Sequence, residues 1–105
     1  MTDYRVTVTV PADHRDTASA IGRAMDIDVG GADSFIEADG VLTAQTWASE
    51  AFAQMFAYLI ASPQGLHMAV AADYERRWPE LTPPDLPAIE AFCAAASMTI
   101  DPPLE

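Results

Sequence analysis

The chain reads as a small α+β domain, in which an antiparallel sheet made of a strand at 4–10 and a hairpin at 34–38 and 41–47 is packed by three to four helices. Three observations carry this expectation. Residues 4–10 alternate strictly, with Tyr4, Val6, Val8 and Val10 on one face and Arg5, Thr7 and Thr9 on the other, which is the period of a half-buried strand. Asp39-Gly40 is the strongest short-range hairpin signal in the chain, because a type I′ turn needs positive φ at both central residues. Phe52, Met55, Phe56, Leu59 and Ile60 fall at i, i+3, i+4, i+7 and i+8, the stripe of an amphipathic helix.

Pro11 ends the first strand. Asp13 then supplies an N-cap, and Asp16 an acidic first turn that complements the helix dipole. The helix they open runs to about Met25, with Ala18, Ile21 and Met25 on a narrow apolar stripe, and Gly22 weakens it by about 1 kcal/mol relative to alanine. Residues 26–33 contain Gly30-Gly31 and read as a loop. Beyond the hairpin, Ser49 caps the second helix, which the pattern places at the centre of the core.

Residues 66–74 fit two periods: Leu66, Met68, Val70, Ala72 and Tyr74 alternate like a strand, while Leu66, Ala69, Val70 and Tyr74 suit a helix. Ser62-Pro63 as N-cap and N1, Asp73 within reach of Arg77, and two arginines before Pro79 favour the helix. The strand alternative gives a ferredoxin-like βαββαβ order followed by a C-terminal helix. Four prolines within 79–87 predict an extended surface connector. Asp85 opens a last helix with Ile89, Phe92, Cys93 and Ala96 on its apolar side, and Asp101-Pro102-Pro103 ends the structure. Residues 1–103 are expected to form a single domain, and Leu104-Glu105 resembles a cloning scar.

Sixteen acidic residues stand against five arginines and no lysine, for a formal net charge of -11. No cation occurs between Arg23 and Arg76, a span that holds Asp26, Asp28, Asp33, Glu37, Asp39, Glu50, Asp73 and Glu75. Polyanions and anionic membranes bind proteins through lysine and arginine, so neither direct nucleic acid binding nor membrane binding is expected. Hydrophobic residues make up 50% of the chain, which predicts a packed core despite the charge. Without an apolar run of membrane-spanning length or a signal-peptide pattern, the expected location is the cytoplasm. Cys93 is the sole cysteine, consistent with a reducing compartment; oxidative dimerisation through it is the lesser alternative.

Residues 26–37 match an EF-hand calcium loop at several of its twelve positions, through Asp26, Asp28, Gly31, Ser34 and Glu37. Gly30 and Asp33 depart from that pattern, no second loop exists, and the Asp39-Gly40 turn falls where the exiting helix belongs, so a solvated acidic loop is the better reading. His14 and His67 lie in no metal-ligating spacing; the first is expected at the surface and the second at the border of the core. Cys93 sits on an apolar helical face, Ser49 and Ser62 serve as caps, and no GxSxG surrounds a serine. The expectation is therefore a non-enzyme with no catalytic, metal or cofactor site. Trp47, Tyr74 and Trp78 remain as aromatic candidates for contact with a partner.

Seven acids lie between Asp13 and Asp39, on the first helix, the glycine loop and the hairpin tip. Carboxylates spaced along a rigid face imitate the phosphates of a nucleic acid and occupy a groove lined by arginine and lysine. In its length, its acid cluster and its missing catalytic motifs, the chain resembles small acidic phage-encoded inhibitors, among them anti-CRISPR proteins. The resemblance spans the whole chain but rests on no diagnostic motif and carries over no residue, since such inhibitors share little sequence. It implies direct binding to a Cas effector subunit and loss of DNA or crRNA engagement. Charge places Asp26, Asp28, Asp33, Glu37 and Asp39 on the partner-binding face. The alternative is a structural or adaptor protein of phage assembly with a merely solubilising acidic surface, self-associating as a homodimer through Trp47, Tyr74 or Trp78.

Overall fold

The computed structural model describes residues 3–25 and 35–104. Among these the elements are β1 (Tyr4–Pro11), α1 (Arg15–Met25), β2 (Ile36–Ala38), β3 (Val41–Ala48), α2 (Glu50–Ala61), α3 (Pro63–Arg77), α4 (Leu86–Ala95) and β4 (Ser97–Asp101), with one 3₁₀ turn at Ala12–His14 between β1 and α1. The four strands form one sheet in the order β2-β3-β1-β4, antiparallel at every pairing. The α+β class holds.

The alternation along β1 does what its period requires. Val6, Val8 and Val10 are buried, as are their register partners Thr46, Ala44 and Leu42 on β3. On the other side of the sheet Arg5, Thr7, Thr9, Gln45 and Trp47 face away from the helices. The hairpin turns at Asp39 (φ 54°) and Gly40 (φ 77°), the double positive φ of a type I′ turn. Its first arm is shorter than expected: pairing starts at Ile36, Phe35 precedes it as a buried residue edge-on to Phe92, and Ser34 lies outside the described residues.

Residues 66–74 belong to α3. Pro63 occupies its first turn, Ser62 stands before it without a side-chain capping bond, and Asp73 pairs with Arg77 one turn on. The fourth strand of the ferredoxin-like alternative is therefore elsewhere, at Ser97–Asp101, and the last helix precedes it rather than following it. The connectivity is βαββαβ with three helices in place of the second. β4 carries no local strand signal, since its five residues run directly into Pro102-Pro103, which in sequence marks the end of the structure.

α2 corrects a second expectation. Ser49 caps it by accepting from the Phe52 N–H (3.3 Å), and Phe56 and Ala53 are buried. Yet Phe52 is 57% exposed, Tyr58 61% and Met55 40%, while Leu59 and Ile60 are partly buried. The fully buried aromatic is instead Phe92 of α4, with Ile89 beside it and Leu66, Val70, Ala18 and Ile21 from α3 and α1. Helical period tells which side chains share a side of a helix; it does not tell whether a partner covers that whole side.

Candidate functional site

β1 ends at Pro11, and the backbone turns at once into the 3₁₀ segment that leads to α1. There the Ala12 N–H donates to the Gly40 carbonyl (2.9 Å). This bond clamps the hairpin turn against the start of the first helix, so that Asp39 and Asp13 come from elements in direct contact. Asp16 follows in the first turn of α1, and both Asp13 and Asp16 favour that end of the helix by opposing its dipole. Beyond Asp16 lies a cleft of about 370 Å³, lined by Asp16 and Thr17 on one side and by Tyr74, Thr82, Pro83, Pro84, Asp85 and Ala88 on the other. Asp85 caps α4 there, accepting from the Ala88 N–H (3.0 Å). Asp85 thus shares the cleft with Asp16, although 69 positions separate the two in sequence.

Glu37 has another role. It pairs across the hairpin with Leu42, and Leu42 is buried on the helix-facing side, so Glu37 sits on that side of an edge strand. There it forms an ion pair with Arg15 of α1, both side chains about half exposed. Arg15 thus neutralises Glu37, whereas Asp13, Asp16, Asp39 and Asp85 are among the acids with no salt bridge to arginine among the described residues. His14 Nε2 is 3.9 Å from Asp13 Oδ1, and its side chain is more covered than a surface residue's. Asp26, Asp28 and Asp33 lie outside the described residues. The calcium-loop reading fails at its described end, since Ile36–Ala38 is a strand where an exiting helix is required.

The aromatic candidates separate. Tyr74 is buried, and Trp78 packs edge-on to it at 5.6 Å between ring centroids. Arg23 donates to the Tyr74 hydroxyl (3.2 Å) and lies 5.3 Å from the Trp78 ring, with Arg77 at 5.7 Å. These contacts bind α1 to the end of α3 and occupy both rings. Asp73, 5% exposed, sits beneath them and holds Arg76 (2.8 Å) and Arg77 (2.9 Å), so it contributes no charge to a binding face. Trp47 alone stays open, 63% exposed on the free face of the sheet, with Arg5 5.7 Å from its ring and Arg5 donating to Gln45 (3.2 Å).

Burial pushes the Cys93 thiol above its ordinary range, which lowers the thiolate fraction available as a nucleophile. His67 is half-buried on α3, as expected. Among the described residues no group of three or more His, Cys, Asp or Glu side chains is arranged to hold a metal ion, and no helix is long and apolar enough to cross a membrane. Comparison with protein-family models, curated proteins and solved structures returned no match to this chain.

Proposed function

We propose that the protein is a non-catalytic binder that presents its acidic edge to a basic, nucleic-acid-handling surface of another protein and excludes nucleic acid from it. A CRISPR effector complex is one such target, as the resemblance to anti-CRISPR inhibitors implies. The observation that supports this reading is the Ala12 to Gly40 bond, which joins the hairpin turn carrying Asp39 to the segment carrying Asp13, just before Asp16 in the first turn of α1. Carboxylates carried on hydrogen-bonded backbone lose less freedom when they meet an arginine-lined groove than those on an unpaired loop. Such binding is steered by long-range charge and weakens with salt.

The direct test is co-migration on a sizing column, in low salt, with purified effector complexes that lack DNA. Binding that disappears when DNA is preloaded supports competition for the nucleic-acid groove; binding indifferent to DNA, or none at any salt, refutes it.

A second reading, a structural or adaptor component of phage assembly, draws on the exposed apolar side chains of Phe52, Tyr58 and Trp47. That reading predicts association in high salt, where the first predicts release.

A further inference from the structure

The sheet has two edges, and they are treated differently. β2 is three residues long and turns Glu37 toward the helices, where Arg15 holds it; a short strand with an inward charge is a poor template for pairing. β4 has neither protection. Among the described residues its five, Ser97-Met98-Thr99-Ile100-Asp101, pair only with β1, and no proline or charge interrupts them before Asp101. Alongside β4, Met98 and Ile100 join Ala57, Ile60 and Ala61 of α2 and the following Pro103 and Leu104 around an open apolar groove of about 360 Å³.

We propose that β4 is a homodimerisation strand, pairing antiparallel with β4 of a second copy about a twofold axis at Thr99. The sequence of the strand is self-complementary in that register. Met98 falls opposite the second copy's Ile100, on the helix-facing side where both line the groove, and Ser97 falls opposite its Asp101 on the other. The two Asp101 carboxylates are thereby kept at opposite ends of the new ladder. Cross-strand apolar pairs stabilise an antiparallel sheet and like charges facing each other oppose it, so the Thr99 register satisfies both conditions.

Charge selects this occupant over a foreign basic one. Two copies carrying -11 each repel unless they meet on a neutral surface, and β4 with the C-terminal half of α2 has Asp101 as its only charged residue. A basic partner gains nothing there. Twofold pairing of an edge strand is isologous, with each copy supplying the same surface, and it removes the exposed edge that a monomer would leave. A stable dimer buries roughly 1,200–2,000 Å², more than one five-residue ladder supplies, so the two grooves and their α2 flanks must close on each other as well. The dimer is accordingly weak and concentration-dependent.

The test is sedimentation equilibrium of the full chain over a range from low to high micromolar concentration, on three proteins. Wild type is expected to show a monomer-dimer equilibrium. Ser97→Asp places a carboxylate opposite the second copy's Asp101 and is expected to weaken the dimer a few-fold to about tenfold, whereas Ser97→Lys is expected to tighten it by a similar factor, reading two symmetric cross-strand pairs. Ser97 is exposed, so neither change disturbs the fold, and matching circular dichroism spectra and melts check this. A strict monomer at every concentration overturns the proposal, as does a dimer whose strength ignores both substitutions or follows them in the reverse order.

Discussion

The Ala12 N–H and the Gly40 carbonyl meet at 2.9 Å, and that bond joins the only type I′ turn among the described residues to the segment that opens α1. Both ends depend on residues with special backbone needs. Pro11 stops β1, and Gly40 at φ 77° presents its carbonyl from the left-handed region.

Gly40→Ala is therefore expected to destabilise the protein by roughly 1–2 kcal/mol, the cost of a side chain in the left-handed conformation. No atom crowds the position, so the loss is conformational rather than steric. Asp39→Asn is expected to melt within a degree or two of wild type, since asparagine tolerates positive φ. Denaturant melts of the two variants check the contrast, and equal losses would contradict the turn assignment.

Phe56→Ala is expected to cost about 3–5 kcal/mol and Phe52→Ala less than about 1 kcal/mol, although the two rings lie one helical turn apart with centroids separated by 6.3 Å. Chemical denaturation of the pair measures this difference. Similar losses at both positions would mean that the outer side of α2 is covered.

Asp73→Asn is expected to destabilise by about 1–3 kcal/mol, because it removes charge-assisted bonds from a buried carboxylate to Arg76 and Arg77. The loss stays below that for a fully buried ion pair since Arg76 is largely exposed and water can serve it instead. Binding to a basic partner should be unaffected, which separates this acid from Asp13, Asp16 and Asp39.

Cys93 gives a pH prediction. Burial disfavours the thiolate, so the folded thiol titrates above its unfolded counterpart. Its contribution to stability is complete below the unfolded pKa and is lost as pH rises through the folded one. Alkylation at neutral pH is expected to be slower in the native protein than in urea, with the native pH-rate curve displaced upward. Equal rates in both states would contradict the burial of this side chain.

Much of this architecture can be read from local signals, because each carries its own physical cause. The alternation of 4–10, the Asp39-Gly40 turn and the caps Ser49 and Asp85 are such signals, and the side chains at each act within a few residues. β4 is different: Met98 and Ile100 gain a buried side only when β1 lies next to them, so five residues before two prolines give no local hint. Of the candidate acids, Asp26, Asp28 and Asp33 lie outside the described residues, and Glu37 is held by Arg15, a pairing of two elements that composition cannot foresee. Asp85 lines a cleft with Asp16 through tertiary contact alone. Tyr74 and Trp78 likewise became structural because Arg23, distant in sequence, reaches both.

The proposed competition of Asp13, Asp16 and Asp39 with nucleic acid for a basic protein groove has a specific readout. The most direct measurement is displacement of labelled duplex DNA from purified CRISPR effector complexes and other basic nucleic-acid-binding proteins, followed by fluorescence anisotropy at low and high salt. Wild-type protein and the combined Asp13→Asn, Asp16→Asn, Asp39→Asn variant are compared after matching their melts. Displacement by wild type is expected to fade as salt rises, with a loss of at least about tenfold in the variant, since each phosphate-like contact contributes to a salt-dependent affinity. Displacement by the variant equal to that by wild type, or none by either against any of these targets, would contradict it.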